Sequence, residues 1–152
     1  MRISSRGRYG LRALIDLASQ GGGKCVSVGS IAQRQGISEH YLEQLMAQLN
    51  KAGFVKSVRG IYGGYRLNRP PEEITLAEIL RSLEGPLYPI ECLSDAGADL
   101  CGAGNCKSCA TRPVWEKLYD SMNGVLESYT LSDLIVKPES AEAELQLDGG
   151  KI

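Results

Sequence analysis

The residues best suited to chemistry in this chain are four cysteines within eighteen positions, Cys92, Cys101, Cys106 and Cys109. Their spacing is Cys-x8-Cys-x4-Cys-x2-Cys, with glycines interspersed at positions 97, 102 and 104. Glycine permits the tight turns that bring several thiolates to one centre. Thiolates are soft ligands for metals such as iron and zinc. The segment is therefore predicted to bind a metal centre and to sense a signal through it.

The cysteine spacing alone leaves three states of the thiols open. The last three cysteines have the Cys-x4-Cys-x2-Cys rhythm that holds 2Fe–2S clusters in plant-type ferredoxins. Structural zinc usually has two tight Cys-x2-Cys pairs, and here only Cys106 and Cys109 form one. Unbound or redox-active thiols are the third state, although free cysteine normally behaves as a buried hydrophobe. A fifth cysteine, Cys25, stands apart, and the sequence identifies no base to activate it.

Charge is divided unevenly between the two halves of the chain. Residues 1–66 carry ten Lys and Arg against three Asp and Glu, a net charge of +7. Residues 67–152 carry seven Lys and Arg against fifteen Asp and Glu, a net charge of −8. A basic surface attracts the phosphates of nucleic acids. We therefore expect the first half alone to contact DNA or RNA, with an ordinary solvated charged surface as the alternative.

The basic half has the pattern of a helix-turn-helix followed by a hairpin. Apolar residues at helical spacing predict a first helix over 7–20, which a run of three glycines ends. A second helix is predicted after Ser27, and Ser38 is placed to cap a third by accepting backbone N–H bonds. Two strand-like runs, 54–59 and 65–67, joined by a glycine-rich loop, predict the wing of a winged helix. The expected fold class is mostly α with a small β-hairpin wing.

The predicted third helix is expected to lie in the major groove of DNA. Its polar face combines His40 and Gln44, which can bond to bases and phosphates, with Glu39 and Glu43. A carboxylate repels the DNA phosphates unless it accepts a hydrogen bond from a cytosine N4 amino group. The two glutamates are therefore expected to weaken binding to DNA sequences that do not offer such a cytosine. Arg59, at the wing tip, is a candidate for a narrow, A·T-rich minor groove. The predicted DNA-binding residues are Arg8, Ser38, Glu39, His40, Tyr41, Glu43, Gln44, Lys56, Arg59 and Tyr62, with Arg6 and Lys51 as further phosphate contacts.

The acidic half contains signals for further helices. Thr75-x-x-Glu78 predicts a capping box at the start of a helix that Gly85-Pro86 ends. Pro113 suits the first position of a long helix. Apolar residues recur in that helix at alternating steps of three and four, which predicts a seam that pairs with another helix. The seam residues are Trp115, Leu118, Met122, Val125 and Tyr129.

Together these signals divide the chain into five predicted segments. They are a winged helix-turn-helix DNA-binding domain (1–69), a connecting helix (70–90), a cysteine cluster-binding loop (91–112), a dimerisation helix with a short C-terminal helix (113–137), and a polar, acidic tail (138–152) that is expected to be disordered.

The sequence argues against several classes of protein. No apolar run approaches the roughly 20 residues that cross a bilayer, and the N-terminus lacks the apolar stretch of a signal peptide. We therefore expect a cytoplasmic protein with no membrane partner, in a compartment where thiols are kept reduced. The single histidine, His40, lies in the predicted DNA-reading helix, so no catalytic nucleophile and base can be assembled around it. Neither catalysis nor a small-molecule substrate is predicted.

Three blocks of the sequence resemble the Rrf-type bacterial winged-helix regulators. They are the opening Met-Arg-Ile-Ser-Ser-Arg-Gly-Arg-Tyr-Gly-Leu, the Ser-Glu-His-Tyr-Leu-Glu-Gln-Leu block at 38–45, and the wing Val-Arg-Gly-Ile-Tyr-Gly-Gly-Tyr at 58–65. The resemblance covers about 135 of the 152 residues. Within that family, the cysteine-metabolism repressors are similar over roughly residues 1–90. The iron–sulfur-assembly regulators are similar over the whole chain, including the cysteine loop.

The resemblance implies a homodimer whose long helices pair and place two winged helices on a palindromic promoter site in double-stranded DNA. It also implies a 2Fe–2S cluster whose presence changes which promoters are bound. The iron–sulfur regulators use three cysteines and a histidine, which lies three residues before the helix tryptophan. Here that position is Arg112, which cannot ligate a metal at neutral pH.

The arginine at position 112 leaves the fourth ligand open. Cys109 matches the family's last cysteine when counted from Trp115, and Cys92 matches its first when counted from the N-terminus. We assign Cys101 with them and Cys106 as the replacement fourth ligand. The alternative is that three cysteines bind and a residue elsewhere, near the partner's N-terminal helix, completes the shell.

Three functions follow from this reasoning. The first is a homodimeric DNA-binding regulator that senses iron–sulfur or redox status through a 2Fe–2S cluster and controls iron–sulfur assembly or related genes. The second keeps the DNA-binding half but makes the protein a repressor of cysteine and sulfur metabolism, with thiol or partner-protein sensing and Cys25 as its thiol. The third, from another class, is an iron–sulfur electron carrier whose basic half only docks a partner.

Overall fold

The computed structural model describes residues 3–94, 97 and 108–135. Within them the chain forms five α-helices and one two-stranded antiparallel hairpin, as the expected fold class requires. The elements are α1 (Ser5–Gly21), α2 (Val28–Gln35), α3 (Glu39–Lys51), β1 (Val55–Val58), β2 (Gly64–Leu67), α4 (Leu76–Glu84) and α5 (Arg112–Ser128). None of the described helices combines the length and the apolar character that crossing a bilayer requires.

Four of the helices begin at a side-chain cap, and three of these are serines. The hydroxyls of Ser4, Ser27 and Ser38 accept the otherwise unpaired N–H groups in the first turns of α1, α2 and α3. Thr75 and Glu78 form a reciprocal capping box at α4, which confirms that prediction. Each cap fixes where a short helix starts and therefore which of its faces meets the core.

One apolar core is shared by α1, α2, α3, α4 and the hairpin. The four apolar residues predicted on the inner face of α3 are all buried, namely Leu42, Leu45, Met46 and Leu49. On α1 the most deeply buried side chains are Ala13, Leu14 and Leu17, whereas Leu11, Ile15 and Ala18 pack at the edge of the core. The buried face of α1 is therefore rotated from the predicted one, because α2 and α4 also pack against this helix.

The hairpin is held to the helical body by a third segment of chain. Val55 pairs with Leu67 and Val58 with Gly64 across the two strands. Tyr65 exchanges two backbone hydrogen bonds with Val26, of 2.8 and 2.9 Å, at the turn that leads into α2. An isolated hairpin is marginal in water, so this added pairing stabilises the wing and sets its position against α2.

The chain after α5 returns to α4 and enters the core. Leu76 N donates to Tyr129 O at 2.9 Å, and Leu131 N donates to Ile74 O at 2.8 Å. Leu131 is fully buried. The short C-terminal helix predicted over 130–135 is a single 3₁₀ turn, Ser132–Leu134, which begins beside the hydrogen bonds from Thr130 to Asp133. The predicted tail at 138–152 lies outside the described residues.

The buried carboxylate of Asp16 links α1 to α2. Asp16 accepts hydrogen bonds from Arg34 (2.6 to 3.1 Å) and from the Gln35 amide (2.8 Å). The bond to Asp16 also raises the pKa of the Arg34 guanidinium above its ordinary value. The Asp16 side chain is 4% exposed and that of Arg34 is 37% exposed, so the pair closes the edge of the core.

We expect Arg34→Ala to lower the free energy of unfolding by about 2 kcal/mol. Losing one partner of a buried, hydrogen-bonded pair leaves a charge without compensation, and partial exposure of Arg34 keeps the cost below that of a fully buried pair. Urea unfolding measures the change. Arg12→Ala is the matched control, because Arg12 bonds the same helix end through Gln35 but is exposed, and its cost should stay below about 1 kcal/mol. Equal costs for the two variants would contradict the assigned role of Asp16.

Candidate nucleic-acid interface and cysteine cleft

The polar face of α3 is free of the core. Ser38, Glu39, His40, Glu43 and Gln44 are all exposed, opposite the buried leucines of the same helix. Gln44 Nε2 lies 3.3 Å from His40 Nε2, so the two side chains one turn apart form a pair. A helix that is anchored on one side and presents amide, imidazole and hydroxyl groups on the other has the chemistry to contact base edges.

Tyr41 has a second role that the sequence did not reveal. Its ring is half-buried and meets the ring of Tyr9 edge to face, with centroids 6.2 Å apart and planes at 86°. The guanidinium groups of Arg8 and Arg12 lie 5.7 and 5.6 Å from the centroid of Tyr9. Tyr41 therefore joins α3 to the basic face of α1 through Tyr9.

The two glutamates of α3 have different surroundings. The Glu39 carboxylate lies beside the first turn of α2, where a Cβ atom on Gly29 would be 3.3 Å from its oxygen. The positive end of a helix dipole stabilises a carboxylate at such a position. Glu43 is exposed one turn further along α3, on the same side of the helix. Both side chains are exposed, and Glu39 in addition lies at the N-terminus of α2.

The wing carries a cluster of cations. Lys56 lies directly opposite Arg66 in the register of the two strands, and both side chains are exposed. Like charges at opposed positions destabilise a sheet unless a polyanion compensates them. Arg59 and Tyr62 are exposed in the loop between the strands. Arg66 was missed as a candidate, although the pairing of the two strand-like runs could have placed it beside Lys56.

The N-terminal end of α1 is fixed by a carboxylate from the end of α4. Glu84 Oε1 accepts three hydrogen bonds, from Ser4 N (3.0 Å), Ser4 Oγ (2.6 Å) and Gly7 N (2.9 Å). A Cβ atom at Gly7 would collide with this carboxylate, so the close approach requires glycine. Gln48 of α3 also donates to Ser82 O at 2.9 Å. The last turn of α4 therefore holds both helices that carry predicted DNA contacts.

Two of the four predicted cysteine ligands lie in one cleft. Cys92 and Cys109 line a cavity of about 280 Å³, together with Ile90, Thr111, Arg112 and Trp115. The Cys109 sulfur is 3.2 Å from the Thr111 hydroxyl, and hydrogen bonding to Thr111 lowers the pKa of the Cys109 thiol. Cys101 and Cys106 lie outside the described residues. Among the described residues no group of three or more His, Cys, Asp and Glu is arranged to hold a metal.

Arg112 occupies a structural position in this cleft. Its Nη1 donates to Cys92 O at 3.3 Å, and its Nε donates to Glu116 at 2.6 Å within the first turn of α5. The side chain thereby joins the backbone at Cys92 to the start of the helix. The arginine at the position of the family's histidine therefore ties the two ends of the cysteine segment together rather than offering a ligand.

Comparisons with known proteins agree with this arrangement. A family model described as Rrf2, iron-dependent transcriptional regulator, matches residues 3–137. The chain belongs to the Rrf2 family. It is 46% identical over 134 residues to the HTH-type transcriptional regulator CymR of Bacillus subtilis, covering 88% of this chain and 89% of that protein. It is 36% identical over 151 residues to the HTH-type transcriptional regulator IscR of Photorhabdus laumondii, covering 99% and 89%.

Solved structures of Rrf2 proteins have the same fold. CymR, described as the global cysteine regulator of B. subtilis, superposes with a TM-score of 0.75 at 45% identity, covering 89% of this chain and 96% of that one. IscR of T. potens superposes with a TM-score of 0.71 at 43% identity, covering 99% and 94%. These relatives are named as transcriptional regulators and not as enzymes. Transcription regulators of the Rrf2 family bind DNA, and this member is one of them.

We expect Glu84→Ala to loosen the first turn of α1 and to lower the free energy of unfolding by about 1 to 2 kcal/mol, because the helix loses its acceptor and a favourable charge at its N-terminus. Glu84→Gln is the matched control, since a glutamine retains one oxygen acceptor. Amide hydrogen exchange at Gly7 and urea unfolding measure the two effects. Unchanged protection of the Gly7 amide in Glu84→Ala would contradict the assigned contact.

Proposed function

We propose that this Rrf2 protein is a homodimeric, cytoplasmic transcriptional regulator in which a 2Fe–2S cluster, held by Cys92, Cys101, Cys106 and Cys109, determines which promoters are bound. The observation that carries the proposal is the cleft beside Trp115. It brings together Cys92 and Cys109, which are seventeen positions apart in the sequence. Control of iron–sulfur assembly or related genes is the role that the IscR relatives suggest.

The donor set suits this cofactor. Cysteine thiolates are the usual ligands of 2Fe–2S clusters, and bonding to the Thr111 hydroxyl favours the thiolate form of Cys109. Arg112 supplies a positive charge beside the two cysteines but no ligand. A bound cluster offers redox and ligand-exchange chemistry that responds to oxidants or to iron supply. Zinc is the less favoured occupant, since only one tight Cys-x2-Cys pair is present.

A physical route from the cleft to the DNA surface runs through α4. Residues 85–90 connect Glu84, which holds the start of α1, to the cleft, and Tyr88 stacks on Tyr119 of α5 with ring centroids 5.1 Å apart. Whether the cysteine loop is ordered therefore affects the position of α4 and α5 relative to α1 and α3, the helices assigned to DNA. We propose that loss of the cluster loosens this connection and shifts the population of DNA-binding arrangements, including the position of Glu43.

The proposed DNA contacts follow the exposed basic surface. The polar face of α3 is assigned to the major groove and the wing to the minor groove, with the arginines of α1 and the lysine of β1 on phosphates. The paired cations Lys56 and Arg66 support this assignment, since phosphates relieve their mutual repulsion. A palindromic promoter site is the natural target of two such surfaces related by a two-fold axis.

The proposed dimer uses the apolar seam of α5. Leu118, Val125 and Tyr129 of the predicted seam are 47–58% exposed, and Val114 in the first turn of α5 is 62% exposed. Trp115 and Met122, the other two seam residues, are half-buried. Apolar residues at steps of three and four suit the pairing of two helices.

We expect Leu118→Glu to convert the dimer to a monomer and to reduce affinity for a palindromic duplex at least tenfold, because a charge in an apolar interface costs more than about 1.4 kcal/mol. Sedimentation analysis and DNA titration measure the two effects. Lys117→Glu is the control, because it places the same charge on α5 outside the seam. A dimer that persists in Leu118→Glu would count against the seam.

We expect anaerobically purified protein to show visible absorption bands with about two irons and two sulfides per chain, as a 2Fe–2S centre requires. Single alanine variants of the four loop cysteines should lose the bands, whereas Cys25→Ser should retain them. Absorption spectra with iron, sulfide and zinc analysis test this. Zinc, or no metal at all, in the wild-type protein would overturn the cluster.

The identity of the fourth ligand has its own test. If Cys106 replaces the family's histidine, Cys106→Ala should lose the cluster, and adding Arg112→His to that variant should restore it. Arg112→Lys in the same background is the control, because it keeps the charge but offers no imidazole. Spectra of the three proteins decide the matter. A cluster that survives in Cys106→Ala alone would assign the fourth ligand to another residue.

The second candidate function is a repressor of cysteine and sulfur metabolism that senses thiol status or a partner protein. The identity of 46% to B. subtilis CymR favours it. Cys25 is partly exposed and directly precedes Val26, which pairs with the wing, so its oxidation could move the hairpin. On this alternative Cys25→Ser abolishes the redox response of DNA binding, whereas the cluster proposal expects little effect. The electron-carrier alternative finds no support among relatives that are named as transcriptional regulators.

A further inference from the structure

The tip of the wing presents two apolar side chains to solvent. Ile61 is 97% exposed and Tyr62 is 93% exposed, the highest fractions for large hydrophobic residues in the described part of the chain. The other exposed apolar residues lie mainly along α5, where the proposed dimer partner covers them. Ile61 makes no contribution to the core of its own chain, so a stabilising role within the monomer does not explain its presence.

The backbone holds this pair in a tight turn. Gly63 N donates to Gly60 O at 2.9 Å, so Ile61 and Tyr62 are the two central residues of the turn. Gly60 has φ of 117°, a conformation that other residues rarely adopt. A Cβ atom at Gly63 would collide with the carbonyl oxygen of Val58, so the turn lies close against the strand. A turn constrained in this way projects its two side chains outward and keeps little freedom to fold them back.

The apolar tip is surrounded by positive charge. Arg59 directly precedes the turn, and the opposed cations Lys56 and Arg66 lie on the strands below it. Cations around an apolar tip match the minor groove of DNA, where phosphates line both edges, the deoxyribose walls are apolar, and the base edges on the floor carry hydrogen-bonding groups. A protein surface that prefers apolar contact alone does not require this concentration of cations.

We infer that Ile61 is an apolar wedge that the wing places in the minor groove. The inference rests on the proposed DNA binding and adds a specificity-determining contact to it. Ile61 packs against the sugar walls and partly unstacks one base step, with Tyr62 beside it. Aliphatic side chains act in this manner in several minor-groove proteins. Pyrimidine–purine steps unstack most easily, so the wedge selects promoters with such a step beneath the wing, without a hydrogen bond to any base.

The test compares Ile61→Ser with Ile61→Leu on a duplex isolated by repeated selection with the wild-type protein. The duplex carries 2-aminopurine at the pyrimidine–purine step under the wing, so that its fluorescence rises when the base unstacks. We expect Ile61→Ser to lose about tenfold in affinity and to lose the fluorescence increase, because the apolar contact is gone. Ile61→Leu should retain both. The side chain is exposed, so neither change should disturb folding.

The salt dependence of binding separates the wedge from an electrostatic contact. Affinity falls with salt according to the number of phosphates that the protein neutralises. Ile61→Ser removes no phosphate contact, so its salt slope should equal that of the wild-type protein. Lys56→Ala is the comparison variant, and its slope should be shallower by about one.

The same measurements distinguish failure of the wedge from failure of the proposed DNA binding. Wild-type affinity and wild-type fluorescence in Ile61→Ser overturn the wedge. If that variant also fails to form an assembly that the wild type forms, the tip is a protein contact and not a DNA contact. Failure of the wild-type protein to show salt-sensitive binding to any selected duplex overturns the proposed DNA function itself, which is a separate result from a neutral Ile61→Ser.

Discussion

The hydrogen bonds that the Glu84 carboxylate accepts are the interaction on which the position of α1 against α4 depends. The carboxylate stands at the end of α4 and accepts three hydrogen bonds at the start of α1, two of them from backbone N–H groups that the helix itself leaves unpaired. Together with the bond from Gln48 to Ser82, it fixes both helices that carry predicted DNA contacts to the element that leads into the cysteine segment. On the proposed mechanism, a change in order near Cys92 would reach both helices through the side-chain hydrogen bonds of Glu84 and Gln48.

The distribution of charge on the surface is not needed for packing of the apolar core. The first 66 residues are strongly basic, and the register of the wing places Lys56 opposite Arg66. Such repulsion lowers the stability of an isolated protein and is relieved by a polyanion. Carboxylates in the same half are used differently. Asp16 pairs with Arg34 inside the fold, Glu39 is exposed beside a helix N-terminus, and Glu43 is exposed one turn further along α3.

The similarity of this chain to both CymR and IscR is explained by the fold that they share. The core, the caps and the wing specify a fold that both kinds of regulator share, and the TM-scores of 0.75 and 0.71 reflect it. The proposed cluster ligands lie in a short segment, and the two that the structure describes, Cys92 and Cys109, are not part of the apolar core. Arg112 is an example of a difference in this segment. It stands where the iron–sulfur regulators have a histidine ligand, and here it bonds both the Cys92 carbonyl and the Glu116 carboxylate. A single fold can therefore carry different sensors with few changes.

The sequence by itself determined the elements, because their signals are local. Ser38 and the Thr75–Glu78 pair are recognisable caps, the apolar spacing of α3 defines its buried face, and glycines around 60–64 define the wing loop. The spacing of the four cysteines marked them as candidate metal ligands, but it left a 2Fe–2S cluster, zinc and unbound thiols open as alternatives. Only the tertiary structure decided which residues meet across long separations. Glu84 reaches Ser4 over eighty positions, and Leu131, which follows α5, enters the core although α5 itself has no buried side chain. These contacts depend on how whole helices pack, and no periodicity within one element encodes them.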